Sequence, residues 1–336
     1  MKMRKLGRNG PQVSAIGFGC YELTGSFGKI DDKDAAAVLM HALDIGITLL
    51  DTADIYGPHT NEELVGRTIK SRRDRVFLST KFGQEILGAS AENKTANAVA
   101  TRINGSPEYV RWACDQSLKR LGVDHVDMYI QHRVDPTVPI EETVGAMADL
   151  VKQGKVRYIG LSEPAPATVR RAHKVHPIAA IESEYSLWTR DPEGEMFSTL
   201  KELGVGFIAF SPLGRGFLTN TLKKLSDLPA GDLRRFYPRF EEEHFNKNQA
   251  LLIPLEEIAK ELEITTAQLS LAWVLHQGDF IVPIPGTKRQ KYLDQNVAAT
   301  EIVLSKQVLE RMDQAMPKGI ASGLRYSEAD MQRINR

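Results

Sequence analysis

Four side chains in the first half of the chain could together move a proton. Asp51 ends the apolar run ITLL, Lys81 ends VFLST, and His132 ends HVDMYIQ. Tyr56 lies in a Gly/Pro loop between the first two runs. A free phenol titrates near 10, too high for an acid that works near neutrality, but a neighbouring ammonium favours the phenolate and pulls that value down. An adjacent carboxylate keeps the ammonium charged in a partly dry pocket. The roles then form a chain: Asp51 holds Lys81, Lys81 acidifies Tyr56, and Tyr56 donates a proton. His132 orients the oxygen that receives the proton, or relays it. Protonating a carbonyl oxygen while hydride reaches its carbon is carbonyl reduction.

These groups meet only if the strand ends converge. The segment 47–81 reads strand, polar loop, helix, strand, with NEELVGRTIK at helical spacing through Leu64, Val65, Thr68 and Ile69. The unit recurs along the chain. SAIGFG precedes a predicted helix over 33–45. A helix opening at Ser106-Pro107, a cap followed by a first-turn proline, turns Val110, Ala113, Cys114, Ser117, Leu118 and Leu121 to one face. HVDMYIQH, VRYIGLS, IAAIESEYS, VGFIAFSPLG and FIVPIPG read as further strands, with helices over about 140–152, 165–173, 193–203, 248–262, 266–276, 291–298 and 305–315. Strand and helix alternate eight times, which predicts an eight-stranded parallel (β/α)8 TIM barrel rather than an open doubly wound sheet. MRKLGRNGPQVSA predicts an N-terminal β-hairpin turning at Asn9-Gly10 with positive φ, placed to plug the barrel floor. With extra helices near the C-terminus, residues 1–336 read as a single barrel domain.

The polar residues Asp51, Lys81, His132, Ser162, Glu182, Ser211 and Thr287 all end strand-like runs, and one mouth of a barrel would gather them. The loop 82–105 reads as a wall of that mouth. The segment 215–246 breaks the rhythm and carries RRFYPRF, whose role the sequence does not decide. Tyr21, Trp188, Tyr185 and Phe27 are candidates for a substrate pocket.

Lys+Arg and Asp+Glu number 43 each, so the formal net charge is zero and no global field draws nucleic acid or an anionic membrane. Cys20 and Cys114 make no disulfide framework and read as reduced thiols. MKMRKLGRNGPQVS carries positive charge without a following apolar region, which is not a secretory signal, and no run approaches the roughly 18 apolar residues of a membrane span. The expectation is a cytoplasmic enzyme with a small-molecule partner; self-association stays open. His125, His173 and His176 have no metal-ligand partners at useful spacing, so no metal is expected. GFGCYE holds two glycines of a GxGxxG without a following helix, so the Rossmann fingerprint is missing.

LLDTADIYG, LSTKFG, YIQHR, GLSE, ESEYSLWTRD, AFSPLGRGFL and IPGTKRQKYLDQN resemble the aldo-keto reductases, over nearly the whole chain and in the family's order. Within that family the chain looks closest to the branch of the YakC-type and perakine reductases. The resemblance implies a barrel binding NADPH (or NADP+) in extended form, with Asp51, Tyr56, Lys81 and His132 as a catalytic tetrad. It implies that Gly19 lies at the cofactor and that Ser162 holds the nicotinamide carboxamide. Beside Ser162 this chain has Glu163 where many members have Asn, and at strand six it has Glu182 where the family usually has Gln. A carboxylate there could accept from the amide NH2 but not donate to its carbonyl. Phe210 matches the ring against the nicotinamide. Ser211, Leu213 and Arg215 match the pyrophosphate loop, and Gly286, Thr287, Lys288, Gln295 and Asn296 the adenosine 2′-phosphate and adenine positions.

NADPH has separate support from charge. Lys288, Arg289 and Lys291 crowd the start of a helix, where the macrodipole disfavours cations and a bound phosphate would offset the cost. Three readings compete. The first is NADPH-dependent reduction of aldehydes, with some ketones, the reverse alcohol oxidation included and pyridoxal one candidate substrate. The second is an NADPH-binding regulatory subunit with little turnover, against which the intact tetrad argues. The third is a Schiff-base aldolase using Lys81, which leaves Tyr56 and the Lys288 cluster without a role.

Overall fold

A computed structural model describes residues 1–87 and 101–335. Its frame is eight strands: β1 (Phe18–Gly19), β2 (Leu49–Asp51), β3 (Phe77–Phe82), β4 (Val126–Gln131), β5 (Val156–Ser162), β6 (Ile178–Glu184), β7 (Gly206–Phe210) and β8 (Ile281–Pro283). They lie side by side in sequence order, every neighbouring pair parallel. The Gly17 N–H donates to the Pro283 carbonyl at 2.9 Å and joins the two edges of the sheet, so the fold is the (β/α)8 barrel expected. At this seam a Cβ on Gly19 would stand 2.8 Å from the Ile284 carbonyl oxygen, and one on Gly286 would stand 2.6 Å from that of Gly19. Only glycine lets the two backbones approach so closely.

Helices α1 (Asp32–Asp44), α2 (Thr60–Ile69), α3 (Pro107–Leu121), α4 (Ile140–Lys152), α5 (Pro166–Val175) and α6 (Glu195–Leu203) cover the outside. Their starts carry the expected chemistry where it matters for register: Asp31 accepts from the Asp34 N–H, and Ser106 from the Tyr109 N–H ahead of Pro107. The predicted apolar stripe of α3 is buried at all six positions. Between β7 and β8 run α7 (Glu242–Gln249), α8 (Leu252–Glu261) and α9 (Thr266–His276); α10 (Gln290–Ala298), α11 (Lys306–Ala315) and α12 (Glu328–Met331) follow β8.

Strand period two sorts the interior into layers. Leu49, Met128, Ile130, Ala180, Ile208 and Val282 fill the lower barrel with Leu6 and Val13 of the N-terminal hairpin. Two residues further along the same faces stand Asp51, His132 and Glu182, and four beyond Phe77 stands Lys81, all buried. The alternation that packs the floor therefore also aims the polar groups into the mouth.

Three expectations change. The hairpin (Met3–Lys5 with Gln12–Ser14) does close the floor, but its left-handed residue is Gly7, with φ +77°, not Asn9 or Gly10. A six-residue connection from Leu6 to Pro11, closed by the Leu6 N–H on the Pro11 carbonyl, replaces the tight two-residue turn. The segment 215–246 is a series of 3-10 turns ending in α7, which the sequence reading missed. The loop 82–105 begins and ends as an antiparallel hairpin, Gln84–Ile86 with Thr101–Ile103, and its remainder, 88–100, lies outside the described residues. Among the described residues no helix is long and apolar enough to cross a membrane, and none group as a metal site.

The floor plug yields a stability prediction. Leu6→Ala opens a cavity against the lowest barrel layer and is expected to cost about 2–5 kcal/mol in a urea titration; an unchanged midpoint would mean that the hairpin does not close the barrel.

Candidate active site

Lys81 is fully buried, and its ammonium is the centre of the mouth. It donates to Asp51 Oδ2, to the Thr52 carbonyl at 3.0 Å and toward the Tyr56 hydroxyl at 3.3 Å, and it stands 3.3 Å from Glu182 Oε1. Ser79, two residues earlier on β3, donates to Asp51 Oδ1 at 3.0 Å. Burial disfavours the charged ammonium, but Asp51 and Glu182 outweigh it and hold the Lys81 pKa well above its ordinary value.

Tyr56 is placed by a laced loop. Its N–H donates to the Ala53 carbonyl, its carbonyl accepts from Asn61, and Asn61 also bonds Thr52 at 2.7 Å and the Cys20 carbonyl at 2.8 Å. Its ring meets Tyr21 edge-on at 4.7 Å between centroids and His132 at 6.0 Å. Burial pushes the phenol above its usual range; Lys81 pulls it down, while Asp51 and Glu182 push it up again. The acidification expected from Lys81 is thus present in sign but outweighed, because the same burial that dries the pocket disfavours the phenolate. His132 is held well below its ordinary value by burial, with Arg133 and Lys81 adding to the effect, so its imidazole is neutral.

A cavity of about 810 Å³ opens above this cluster. Asp51, Tyr56 and His132 line it, with Lys81 directly behind them. So do Gly19, Tyr21, Ser162, Glu182, Phe210, Ser211, Leu213, Arg215, Gly286, Thr287, Lys288, Gln295 and Asn296. Ser162 and Glu182 are partners in the β5–β6 register. Ser211 turns the chain off β7 in the left-handed region, at φ +48°. Two buried polar atoms in this wall, Glu182 Oε2 and His132 Nδ1, have no hydrogen-bond partner. Unsatisfied groups of this kind suit a ligand that brings its own donors and acceptors.

Trp188 is a correction. It does not line the cavity: it stacks on Phe217 at 4.0 Å and lies under the Arg239 guanidinium, because the Ser186–Thr189 bridge folds it back into the core. Tyr185 is likewise core, donating to Glu193. Arg215 lines the cavity as expected but carries a partner that the sequence did not show. Its guanidinium does not stand free for a pyrophosphate but bonds Glu184 at 2.7 and 3.4 Å, between the rings of Tyr237 and Tyr326. Burial opposes the Glu184 charge, yet Arg215, Arg325 and Arg239 together pull its carboxyl down to about 2. Lys288 is partly committed too, donating to the Phe27 and Gly28 carbonyls at 2.6 and 3.0 Å. Arg289, by contrast, is exposed beside the Tyr292 ring.

The sequence reading missed much of the upper wall. Arg234 bonds Asp232 and the Arg215 carbonyl and lies over the Phe27 ring, so the 215–246 segment closes one side. The C-terminal tail packs beside it, Tyr326 against Tyr237 with ring centroids 6.0 Å apart: Arg325 grips Glu163 with two bonds at 2.9 and 2.7 Å, and Tyr326, Asp330 and Arg333 reach the cavity. Arg133 bonds Ser162 Oγ at 3.3 Å, and Glu22, raised by burial to about 7 despite Lys288 and Arg234, lines the wall near Gly286. The HR pair in YIQHR was a usable signal for Arg133; nothing local marked Tyr326 or Arg333.

Glu184 and Arg215 define a test. Arg215→Leu takes from the buried Glu184 carboxylate its directly bonded cation, leaving Arg325 and Arg239 further off, and is expected to cost about 3 kcal/mol of stability, the low end for a broken buried pair. The intact pair stabilises above the ordinary Glu value of 4.5, and that contribution is lost as pH falls toward about 2. Denaturant titration at neutral pH reads the loss; a variant of unchanged stability with weakened cofactor binding would restore Arg215 to the pyrophosphate.

Comparison with known proteins agrees with this geometry. A family model described as "Aldo/keto reductase family" matches residues 15–317. A soybean (Glycine max) protein named "Probable aldo-keto reductase 1" is 46% identical over 324 residues, covering 96% of this chain and 91% of its own length. Among solved structures, the glycerol dehydrogenase of Gluconobacter oxydans superposes with a TM-score of 0.85 at 24% identity, covering 96% of this chain and 97% of that one. A thermostable aldo-keto reductase, solved in complex with the inhibitor epalrestat, superposes with a TM-score of 0.72 at 30% identity over 94% of this chain and 100% of its own. Family model, relative and fold converge: the chain belongs to the aldo/keto reductase family, oxidoreductases that generally use NAD(P)H and act on small carbonyl compounds.

Proposed function

We propose that the chain reduces aldehydes, and some ketones, to alcohols with NADPH, using Asp51, Tyr56, Lys81 and His132 as its catalytic residues. The observation that carries the reading is the Tyr56 hydroxyl, kept protonated by burial, 3.3 Å from the Lys81 ammonium in the wall of the cavity. A carbonyl oxygen seated between Tyr56 and the neutral His132 would accept a hydrogen bond from each. As negative charge grows on that oxygen, Tyr56 passes its proton over, and Lys81 stabilises the phenolate left behind. Asp51, fixed by Ser79, keeps Lys81 charged through the step. A reduced nicotinamide, held by the wall described next, would supply the hydride.

The wall fits such a cofactor. Ser162 and the partnerless Oε2 of Glu182 would meet the carboxamide, with Phe210 beside the ring. Ser211 and Leu213 would follow the pyrophosphate. Helix α10 starts at Gln290 with no side-chain cap, and Thr287, Arg289, Gln295 and Asn296 surround that start. Open N–H groups, the positive helix end and a free guanidinium together suit a 2′-phosphate, which favours NADPH over NADH.

Two measurements test the reading. Tyr56→Phe removes only the proton donor, so NADPH-dependent reduction of an aldehyde panel is expected to fall roughly 100- to 10,000-fold with NADPH affinity nearly unchanged. Turnover equal to wild type would remove Tyr56 from the chemistry. Arg289→Ala is expected to raise the KM for NADPH about 10- to 100-fold, the worth of one charge-assisted contact, and to leave the KM for NADH unmoved. Equal effects on both cofactors would place the 2′-phosphate elsewhere.

A further inference from the structure

Lys81 faces two carboxylates, and they are not equivalent. Both Asp51 oxygens receive hydrogen bonds, one from Ser79 and one from Lys81. Glu182 has its Oε1 3.3 Å from the ammonium, but Oε2 has no partner, and only 2% of the residue is exposed. The charged and titratable groups facing Glu182 are Asp51 from β2, Tyr56 from the following loop, Lys81 from β3, and His132 and Arg133 after β4. The next carboxylates are taken: Glu184 by Arg215 and Glu163 by Arg325. Arg133 bonds the His132 carbonyl and Ser162 Oγ instead of Glu182, so ionising both Asp51 and Glu182 would leave two carboxylates sharing the one ammonium in contact with them, in a dry pocket beside a neutral imidazole and a neutral phenol. One proton removes that imbalance, and the unbonded Oε2 is the atom free to carry it.

We propose that Glu182 works as a protonated carboxylic acid whose Oε2–H points into the cavity and donates to the ligand's amide carbonyl, while Oε1 stays with Lys81. Glu182 is thereby a binding residue with its own proton, and cofactor affinity depends on that proton. The inference rests on the reading that a nicotinamide carboxamide lies against Ser162 and Glu182. The electrostatics agree. Burial first, then Asp51, raises Glu182 to about 8 against the pull of Lys81 and Arg133. Lys81 and Tyr56 are pushed above that range and His132 below it. Deprotonation would remove a donor and place a second negative charge against the site.

The sign of the pH effect follows from linkage. Between the ordinary value of 4.5 and about 8, folded Glu182 keeps a proton that the unfolded chain has released, so rising pH favours unfolding over that window. The first experiment compares melting temperatures of ligand-free wild type and Glu182→Gln from pH 5 to pH 9. The variant is expected to gain on wild type as pH rises and to level off above pH 8; a gap that does not change with pH would overturn the proton on Glu182. The second follows NADPH affinity by fluorescence from pH 7 to pH 9. Wild type is expected to weaken about tenfold by pH 9, and Glu182→Gln, which always offers an N–H donor, to stay flat. Parallel pH profiles would overturn the donor role. Failure of NADPH to bind wild type at any pH would overturn the cofactor reading and the donor role with it, and the melting comparison would still decide the proton.

Discussion

An ammonium with no exposed surface fixes much of what surrounds it. Lys81 stays charged because Asp51 stands beside it, with Glu182 Oε1 on its other side, and these two groups come from β2, which neighbours β3, and from β6, three strands away in the same closed sheet. A flat sheet of the same order would hold β6 well away from β3; curling it into a barrel brings the three side chains together. The charged cluster and the barrel thus depend on each other. Closure itself rests on small residues at the seam, where Gly19 and Gly286 admit backbone that any side chain would exclude. Removing a charge from the cluster strands its partner in a medium with little capacity to solvate it, which makes this part of the molecule intolerant of change for reasons separate from chemistry.

The upper wall is organised by arginines. Arg215, Arg234, Arg239 and Arg325 join separate segments of it, all four against aromatic rings, and Glu184 and Glu163, which Arg215 and Arg325 hold, sit at strand ends. Glu163 shows how local strain is carried. It lies at φ +54°, a region that Asn adopts with less difficulty, and the Arg325 fork with the Glu184 N–H holds it there. The Glu in place of Asn therefore belongs with the tail that covers it. That tail and the 215–246 segment pack on each other to form one wall of the cavity, while the cluster at its base answers only to the barrel.

Much of the base was legible in the sequence. Asp51, Lys81, His132 and Glu182 share strand parity with apolar residues two or four positions earlier, so a period of two, once the strands were identified, carried both floor and mouth. The upper wall was not legible, because its contacts join positions with no local signature. Arg325 and Glu163 are 162 residues apart, and Lys288 and Phe27 are 261 apart. Arg215 was legible only in part for the same reason: its motif gave its position in the cavity wall, but its partner Glu184 and its stacking rings come from elsewhere in the chain. Trp188 sits at a strand end and reads as pocket, yet a short bridge between Ser186 and Thr189 turns it inward. The hairpin turn failed differently, through a dipeptide propensity overridden by the fit of Leu6 beneath the barrel.

The seam between Gly17 and Pro283 has a consequence for the order in which the molecule is built. Ribosomes release the amino-terminal edge of the barrel long before its mate at β8 exists, and the Arg325 fork comes later still. Until then the lower layer lacks a wall, and Lys81 has its β2 and β6 partners without a sealed pocket to hold them. Nascent chains of this protein therefore carry an open seven-stranded sheet from the completion of β7 at Phe210 until β8 emerges, a state with exposed strand edges that neighbouring polypeptides could pair with.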